Sequence, residues 1–125
     1  MASGLRSVGA DVEVHDDHFP PDTPDEHWLA EVGRKGWAIL SKDENIRRRP
    51  LELSAIAASR AGVFVLTSQG LTGAEMAHVF IAALPKIEAA HRSLRRPFVC
   101  LIYRDGSLRR FAVITKRGRH ILKQR

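Results

Sequence analysis

Apolar residues recur at helical spacing in some segments and in short runs or strict alternation in others, which predicts alternating helices and strands. The pattern predicts helices over residues 2–8, from residue 23 onward, over 50–60 and from residue 72 onward, and strands over 11–15, 37–40, 63–66, 98–103 and 108–114. The last two strands flank an Asp-Gly pair and therefore read as a hairpin. Strands and helices in alternation, closed by a hairpin, predict an α/β sandwich whose main sheet is largely parallel.

Local signals set the expected limits of the helices. Thr23 as N-cap, Pro24 at the first helical position and Glu26 three residues after the cap mark the start of one helix. Gly33 and Gly36 are expected to stop it. Pro85 should kink or break the helix that begins after Thr72, because proline removes a backbone donor and clashes with the preceding turn. Gly9 is the expected stop of the first helix.

Composition fits one packed domain. The chain has 125 residues, of which 44% are hydrophobic and 27% charged. No stretch of about 18 apolar residues occurs, so the sequence predicts no membrane span and the cytoplasm as the default location. Cys100 is the single cysteine and lies in an apolar run, which excludes an internal disulfide and predicts a buried, inert thiol.

The net charge of +6 is distributed unevenly. Residues 1–85 hold 8 Lys or Arg and 12 Asp or Glu, whereas residues 86–125 hold 12 and 2. A carboxylate-bearing half followed by a cationic half suits a protein that handles a polyanion through a metal ion. A nonspecific basic tail explains the same asymmetry, and the charge alone does not choose between the two.

Carboxylates follow the predicted strands at the edge of the sheet where ligands gather. Asp16 and Asp17 come after the strand at 11–15, Asp25 lies in the first turn of the next helix, and Asp43 follows the strand at 37–40. Hard oxygen ligands suit Mg²⁺ or Mn²⁺. Each residue also has a simpler interpretation, because Asp25 complements a helix dipole and Asp43 is a good turn former. At most one of the adjacent Asp16 and Asp17 should be a ligand.

Other polar groups leave similar alternatives open. His15, His18 and His27 suggest a transition-metal site, although a polar loop with surface imidazoles explains them better. Thr67 and Ser68 follow a predicted strand and either donate hydroxyls to a ligand or form a turn. Lys42 and the run Arg47, Arg48 and Arg49 are candidates for phosphate binding or form a solvated charged surface.

The order of residues in four segments resembles the PIN-like domains of VapC-type toxins. The segments are HDDHFPPDTPDEHWL at 15–29, GWAILSKDENIRRRP at 36–50, VFVLT at 63–67 and RRPFV at 95–99. The resemblance spans residues 3–113, and its most specific parts are the Asp-Thr-Pro-Asp-Glu-x-Trp-Leu segment and the strand that leads to Asp43 with the arginines after it.

The resemblance implies a three-layer PIN-like sandwich with a mainly parallel central sheet and a C-terminal β-hairpin, over residues 1–114, followed by a basic tail at 115–125. It implies a metal-dependent endoribonuclease, the toxin of a toxin–antitoxin pair, which cuts RNA with Mg²⁺ or Mn²⁺ and is held inactive by a protein antitoxin. Asp25 and Asp43 match family acids and are the expected catalytic metal ligands, with Asp17 as a third ligand. Lys42 and Arg47–Arg49 are the expected RNA-binding residues, and homodimer formation is left open.

The chain departs from the family pattern at its amino terminus. Family members begin with a strand ending in an aspartate that belongs to the metal cluster, and the segment matched here starts inside the helix that follows. We therefore expect residues 1–114 to lack the amino-terminal strand of the family. Three explanations are open: the strand is encoded upstream, which we favour; a partner supplies it; or Asp16 or Asp17 replaces its aspartate in a rearranged sheet. The alternative function is a noncatalytic PIN-like module that binds nucleic acid or protein and has lost its complete acidic cluster.

Overall fold

The fold is taken from a computed structural model, which describes residues 2–7, 9, 13, 19–20, 22, 25–42, 50–68, 70–111, 113–114 and 120–121. The helices are α1 (Ala2–Ser7), α2 (Asp25–Lys35), α3 (Pro50–Ala57) and α4 (Gly73–Ser93). The strands are β1 (Ala38–Ser41), β2 (Gly62–Leu66), β3 (Phe98–Ile102), β4 (Leu108–Phe111), β5 (Val113–Ile114) and β6 (His120–Ile121).

Four of the described strands form one sheet in the order β1, β2, β3, β4. β1, β2 and β3 are parallel, and β4 returns antiparallel to β3 as the second strand of a hairpin. The first residues of the parallel strands are in register, with Ala38 beside Gly62 and Gly62 beside Phe98. The sheet therefore has an amino edge, where these three strands begin, and a carboxyl edge, where they end.

The two faces of the sheet are covered by different helices, because successive side chains of a strand point to opposite faces. One face carries Phe64, Leu66, Cys100 and other residues that pack with Leu5 of α1 and with the apolar stripe of α4, all in one buried cluster. The other face carries Val63, Val65, Val99 and Leu101, which pack with α2 and α3. This arrangement confirms the predicted three-layer α/β sandwich with a mainly parallel sheet. Because both faces of β2 and β3 are buried, apolar and polar residues do not alternate along these two strands.

The expected glycine stops are correct at two positions and wrong at a third. Gly9 and Gly36 have positive φ angles of 88° and 74° and follow the ends of α1 and α2. Gly33, in contrast, lies inside α2 and is buried. A Cβ atom there would lie 3.0 Å from the backbone carbon of Arg60, so this glycine allows the helix to approach the loop before β2 closely.

Helix α4 begins directly after Thr72, as predicted, and continues through its proline. The Thr72 hydroxyl accepts a hydrogen bond from the backbone N–H of Glu75, and the Glu75 side chain accepts one from the Thr72 N–H, which completes a capping box. Pro85 lies on the exposed side of an uninterrupted 21-residue helix, so the expected break does not occur. Phe80 and Ile87 hold the helix against the sheet on either side of the proline.

The hairpin has the predicted turn but a shorter second strand. Gly106 takes a positive φ of 85° and its N–H donates to the Tyr103 carbonyl at 2.8 Å, while Asp105 accepts from the Ser107 N–H at 3.0 Å. The strand expected over 108–114 divides, because β4 ends at Phe111 and the next strand, β5, pairs with β6 in a separate two-stranded sheet.

Two further expectations concern parts of the chain that are only partly described. The predicted strand at 11–15 falls almost wholly outside the described residues, as do Thr23 and Pro24. Within the described ranges, none of the helices combines the length and the apolar character needed to cross a membrane.

Candidate metal and nucleic-acid site

The turn between α2 and β1 brings the start of the helix and the end of the strand to the same end of the fold. Only Gly36 and Trp37 separate the two elements, and the Gly36 N–H donates to the Gly33 carbonyl at 3.1 Å. The chain therefore reverses direction here, and Trp28 in the first turn of α2 packs in the same cluster as Ile39 of β1. Asp25, the first residue of α2, is thus on the carboxyl-edge side of the sheet.

Two of the predicted site residues lie in the described part of the chain. Asp25 begins α2, and Lys42 is exposed directly after the last residue of β1. The other predicted metal ligands and phosphate-binding residues lie outside the described residues: Asp17, Asp43, Arg47, Arg48 and Arg49. Asp43 is the next residue after Lys42 in the sequence.

Thr67 and Ser68 follow β2 at the carboxyl edge and are half-buried. The Thr67 hydroxyl donates to the carbonyl of Ile102 at 3.2 Å, and the Thr67 N–H reaches the same oxygen at 3.0 Å. The hydroxyl proton of Thr67 therefore holds the ends of β2 and β3 together. The described contacts of Thr67 therefore support a structural role for its hydroxyl and not ligand binding.

The amino terminus of α4 brings another carboxylate to this side of the fold, one that the sequence reasoning did not single out as a site residue. Hydrogen bonds from the backbone and the side chain of Thr72 hold the pKa of Glu75 below its usual value, and the charge of Arg104 acts in the same direction. Glu75 is fully exposed and its carboxylate completes the capping box. Its described contacts are those of a helix cap, which the Thr-x-x-Glu spacing alone is enough to recognise.

The histidine hypothesis gains no support from the described ranges. His27 is exposed on α2, whereas His15 and His18 lie outside these ranges. Across the residues that the structure describes, no three His, Cys, Asp or Glu side chains come together in a way that would hold a metal ion.

Cys100 is buried in the cluster under α4, as predicted. Burial raises the pKa of its thiol to about 11, and the charge of Arg110 on the neighbouring strand lowers it only in part. The thiol is therefore protonated at neutral pH and unsuited to nucleophilic chemistry.

His91 is a half-buried residue that the sequence reasoning did not single out. Its ring lies beside Phe98 and Phe64 on the amino-edge side, with ring centroids 6.3 and 6.5 Å away. Its Nε2 atom is 2.7 Å from the Gly36 carbonyl oxygen, and its Nδ1 atom is buried without a hydrogen-bond partner among the described residues. His91 thereby joins the end of α4 to the end of α2.

Comparison with known proteins agrees with this architecture. The model of the PIN-like domain family matches residues 1–68, more than half of the chain. The chain is also 26% identical over 103 residues to the putative ribonuclease VapC45 of Mycobacterium tuberculosis (strain ATCC 25618 / H37Rv), an alignment that covers 79% of this chain and 74% of the relative. No solved structure matches the chain. The fold and the family match together identify the chain as a member of the PIN-like domain family.

Proposed function

We propose that this protein is a metal-dependent endoribonuclease and the toxin of a toxin–antitoxin pair. The observation that carries the proposal is the reversal between α2 and β1, by which Asp25 at the start of α2 and Lys42 after β1 lie on the carboxyl-edge side of the sheet. Family membership and the similarity to a putative ribonuclease agree with it. Carboxylates at that edge are suited to a divalent ion in contact with a phosphodiester.

The proposed metal ligands are Asp25, Asp43 and Asp17. Their carboxylate oxygens are the donors that Mg²⁺ and Mn²⁺ prefer, and the short connection from α2 to β1 is compatible with Asp25 and Asp43 sharing an ion. A divalent ion bound there supplies a Lewis acid that activates water and stabilises the leaving oxygen of the phosphodiester. Carboxylates that share one site repel one another, which would make a cation the favoured occupant.

Cations beside the acidic cluster would bind the RNA strand. Lys42 is exposed where β1 ends, and Arg47, Arg48 and Arg49 follow it closely in sequence. Guanidinium groups bind phosphate oxygens in a bidentate manner and would orient the scissile phosphate toward Asp43. The arginines also offset the repulsion between the acidic cluster and the RNA backbone.

A protein antitoxin is the proposed regulatory partner, as the resemblance to VapC-type toxins implies. Inhibition would require the antitoxin to cover the carboxyl edge or to engage its cations. Co-expression with the protein encoded beside this one in the genome tests that step, with co-purification and loss of RNA cleavage as the expected result.

The test of the proposed activity is cleavage of a mixed-sequence RNA with Mg²⁺ or Mn²⁺. Asp25→Asn and Asp43→Asn should each lower the cleavage rate at least about a hundredfold, because each removes a charged metal ligand. Glu88→Gln is the matched control, since Glu88 is exposed on α4 and its substitution removes the same charge. Equal cleavage by the wild type and by Asp43→Asn contradicts the assignment. RNA binding without metal-dependent cleavage by any of the proteins supports the noncatalytic module instead.

A further inference from the structure

A cation precedes each of the three described parallel strands at the amino edge of the sheet. Ala38, Gly62 and Phe98 are the first residues of β1, β2 and β3 and lie in register. Lys35 precedes the first of these residues by three positions, and Arg60 and Arg96 precede the other two by two positions each. The strand register therefore brings together cations that are at least 25 positions apart in the sequence.

Direct contacts confirm that these segments meet. The Arg96 guanidinium lies 3.3 Å from Nε2 of His91, which in turn contacts the Gly36 carbonyl. A Cβ atom built on Gly36 would lie 3.9 Å from the same guanidinium. The backbone of Arg60 touches α2 at Gly33.

The end of α4 adds further cations to this edge. Arg92 neighbours His91 in the last turn of the helix, and Arg95 precedes Arg96 in the loop to β3. We define the amino-edge cluster as the five exposed cations that these elements contribute: Lys35, Arg60, Arg92, Arg95 and Arg96.

Few acidic groups neutralise the amino-edge cluster within the described part of the chain. Glu31 forms an ion pair with Arg34, which is outside the cluster, and Glu88 lies one helical turn before Arg92 without a described ion pair to it. Lys35 is held over the ring of Trp37, with its Nζ atom 4.7 Å from the ring centroid. Arg60, Arg92 and Arg95 have no described hydrogen bond or ion pair in these ranges, so their guanidinium groups remain available to a partner.

The helix dipoles explain the position of some of these cations. α2 and α4 both end at this edge, and cations near helix carboxyl termini are favourable by about 0.3–1 kcal/mol each at exposed positions. Arg60 and Arg95 lie in loops, outside the helices, so the dipoles do not explain them. The cluster is therefore larger than helix capping requires.

We propose that the amino-edge cluster is a second binding surface for the RNA backbone, at the end of the sheet opposite the proposed metal site. The choice of RNA as the polyanion rests on the proposed function. Four of its five cations are arginines, whose planar guanidinium groups match phosphate oxygens better than ammonium groups do. The cluster binds phosphates through charge and therefore does not distinguish one RNA sequence from another. A long RNA would contact both edges, whereas a short one would occupy only one of them.

The experiment measures binding of a labelled single-stranded RNA in EDTA, where metal-dependent cleavage is absent, at several salt concentrations. The test variant is Arg60→Gln, Arg92→Gln and Arg95→Gln combined. The matched control combines Lys86→Gln, Arg109→Gln and Arg110→Gln, which removes the same charge from exposed positions on α4 and β4. Thermal unfolding verifies that each variant is folded. The single variant Arg95→Gln in the loop before β3 provides the test if the triple variant is unfolded.

The proposal predicts that the test variant binds RNA at least about tenfold more weakly at 0.1 M salt, with a salt slope smaller by about 2, because each phosphate contact on a single strand contributes about 0.7. The single variant should show about one third of that decrease in slope, because it removes one of the three contacts. The control variant should bind like the wild type. Equal weakening in test and control, or no weakening in either, overturns the proposal. Unchanged RNA binding together with lost binding to a polyglutamate peptide assigns the cluster to an acidic protein and also overturns it. Because the experiment measures binding and not cleavage, its result does not depend on whether the proposed nuclease activity is found.

Discussion

Two leucines of this chain provide a matched test of the three-layer fold. Leu66 ends the central strand β2 and is fully buried in the cluster under α1 and α4, whereas Leu51 in α3 is 86% exposed. Leu66→Ala and Leu51→Ala make the same chemical change in these two environments. We expect the first to be strongly destabilising and the second to be nearly neutral.

The magnitude follows from burial. Removing about three buried carbon groups at about 0.8 kcal/mol each, with an added cost for the cavity left behind, predicts a loss of about 3 kcal/mol for Leu66→Ala. An unfolding entropy of about 2.1 cal/mol/K per residue over 125 residues converts this loss into a decrease of Tm by about 11 °C. Leu51→Ala should change the free energy of unfolding by less than about 0.5 kcal/mol, because it removes an exposed side chain and leaves a good helix former.

Urea unfolding followed by circular dichroism, together with calorimetric Tm values, measures both effects. A loss below about 1 kcal/mol for Leu66→Ala would place this residue outside a packed core and refute the assignment of β2 to the centre of the sheet. A loss at Leu51 as large as the loss at Leu66 would refute the assigned exposure of α3.

Three further predictions concern individual contacts. Gly33→Ala should destabilise the protein by about 1 kcal/mol, since overpacking against the Arg60 backbone outweighs the gain in helix propensity, and a rise in Tm would contradict this. Thr72→Ala should cost about 1 kcal/mol at neutral pH and raise the pKa of Glu75 toward its ordinary value, as NMR titration can measure. Because the pKa of Glu75 is lowered in the folded state, its part of that stability is present above the ordinary glutamate pKa and is lost as the pH falls through the folded pKa. Cys100 should resist iodoacetamide at pH 8 until denaturant unfolds the chain, and rapid alkylation of the folded protein would show that the thiol is not buried.

The layers of this fold were predictable because their signals are local. The start of the helix after Thr72 and the turn at Gly106 depend on residues within a few positions of each other, and both occur as predicted. The expectations for Gly33 and Pro85 are wrong for a common reason, which is that tertiary packing overrides local preference. A glycine inside α2 serves a close approach to a distant loop, and a proline inside α4 is tolerated because the helix is held against the sheet on both sides of it.

The candidate sites differ in how far the sequence reveals them. Asp25 and Asp43 can be selected from the sequence, because Asp25 lies at a recognisable helix start and Asp43 follows a recognisable strand. The amino-edge cluster has no such signal, since Arg60 and Arg96 are 36 positions apart and only the register of β2 and β3 brings their segments together. The contact of His91 with Gly36 spans 55 positions and is equally invisible in the sequence.

Titration of the folded protein with Mn²⁺ by calorimetry is the most direct test of a shared metal site at the carboxyl edge. The wild type and Glu88→Gln should bind the ion with the same heat and stoichiometry, whereas Asp25→Asn and Asp43→Asn should each weaken binding at least about tenfold, because each removes one charged ligand of the same ion. Unchanged Mn²⁺ binding in either aspartate variant, in protein that unfolds with the wild-type Tm, would contradict the account.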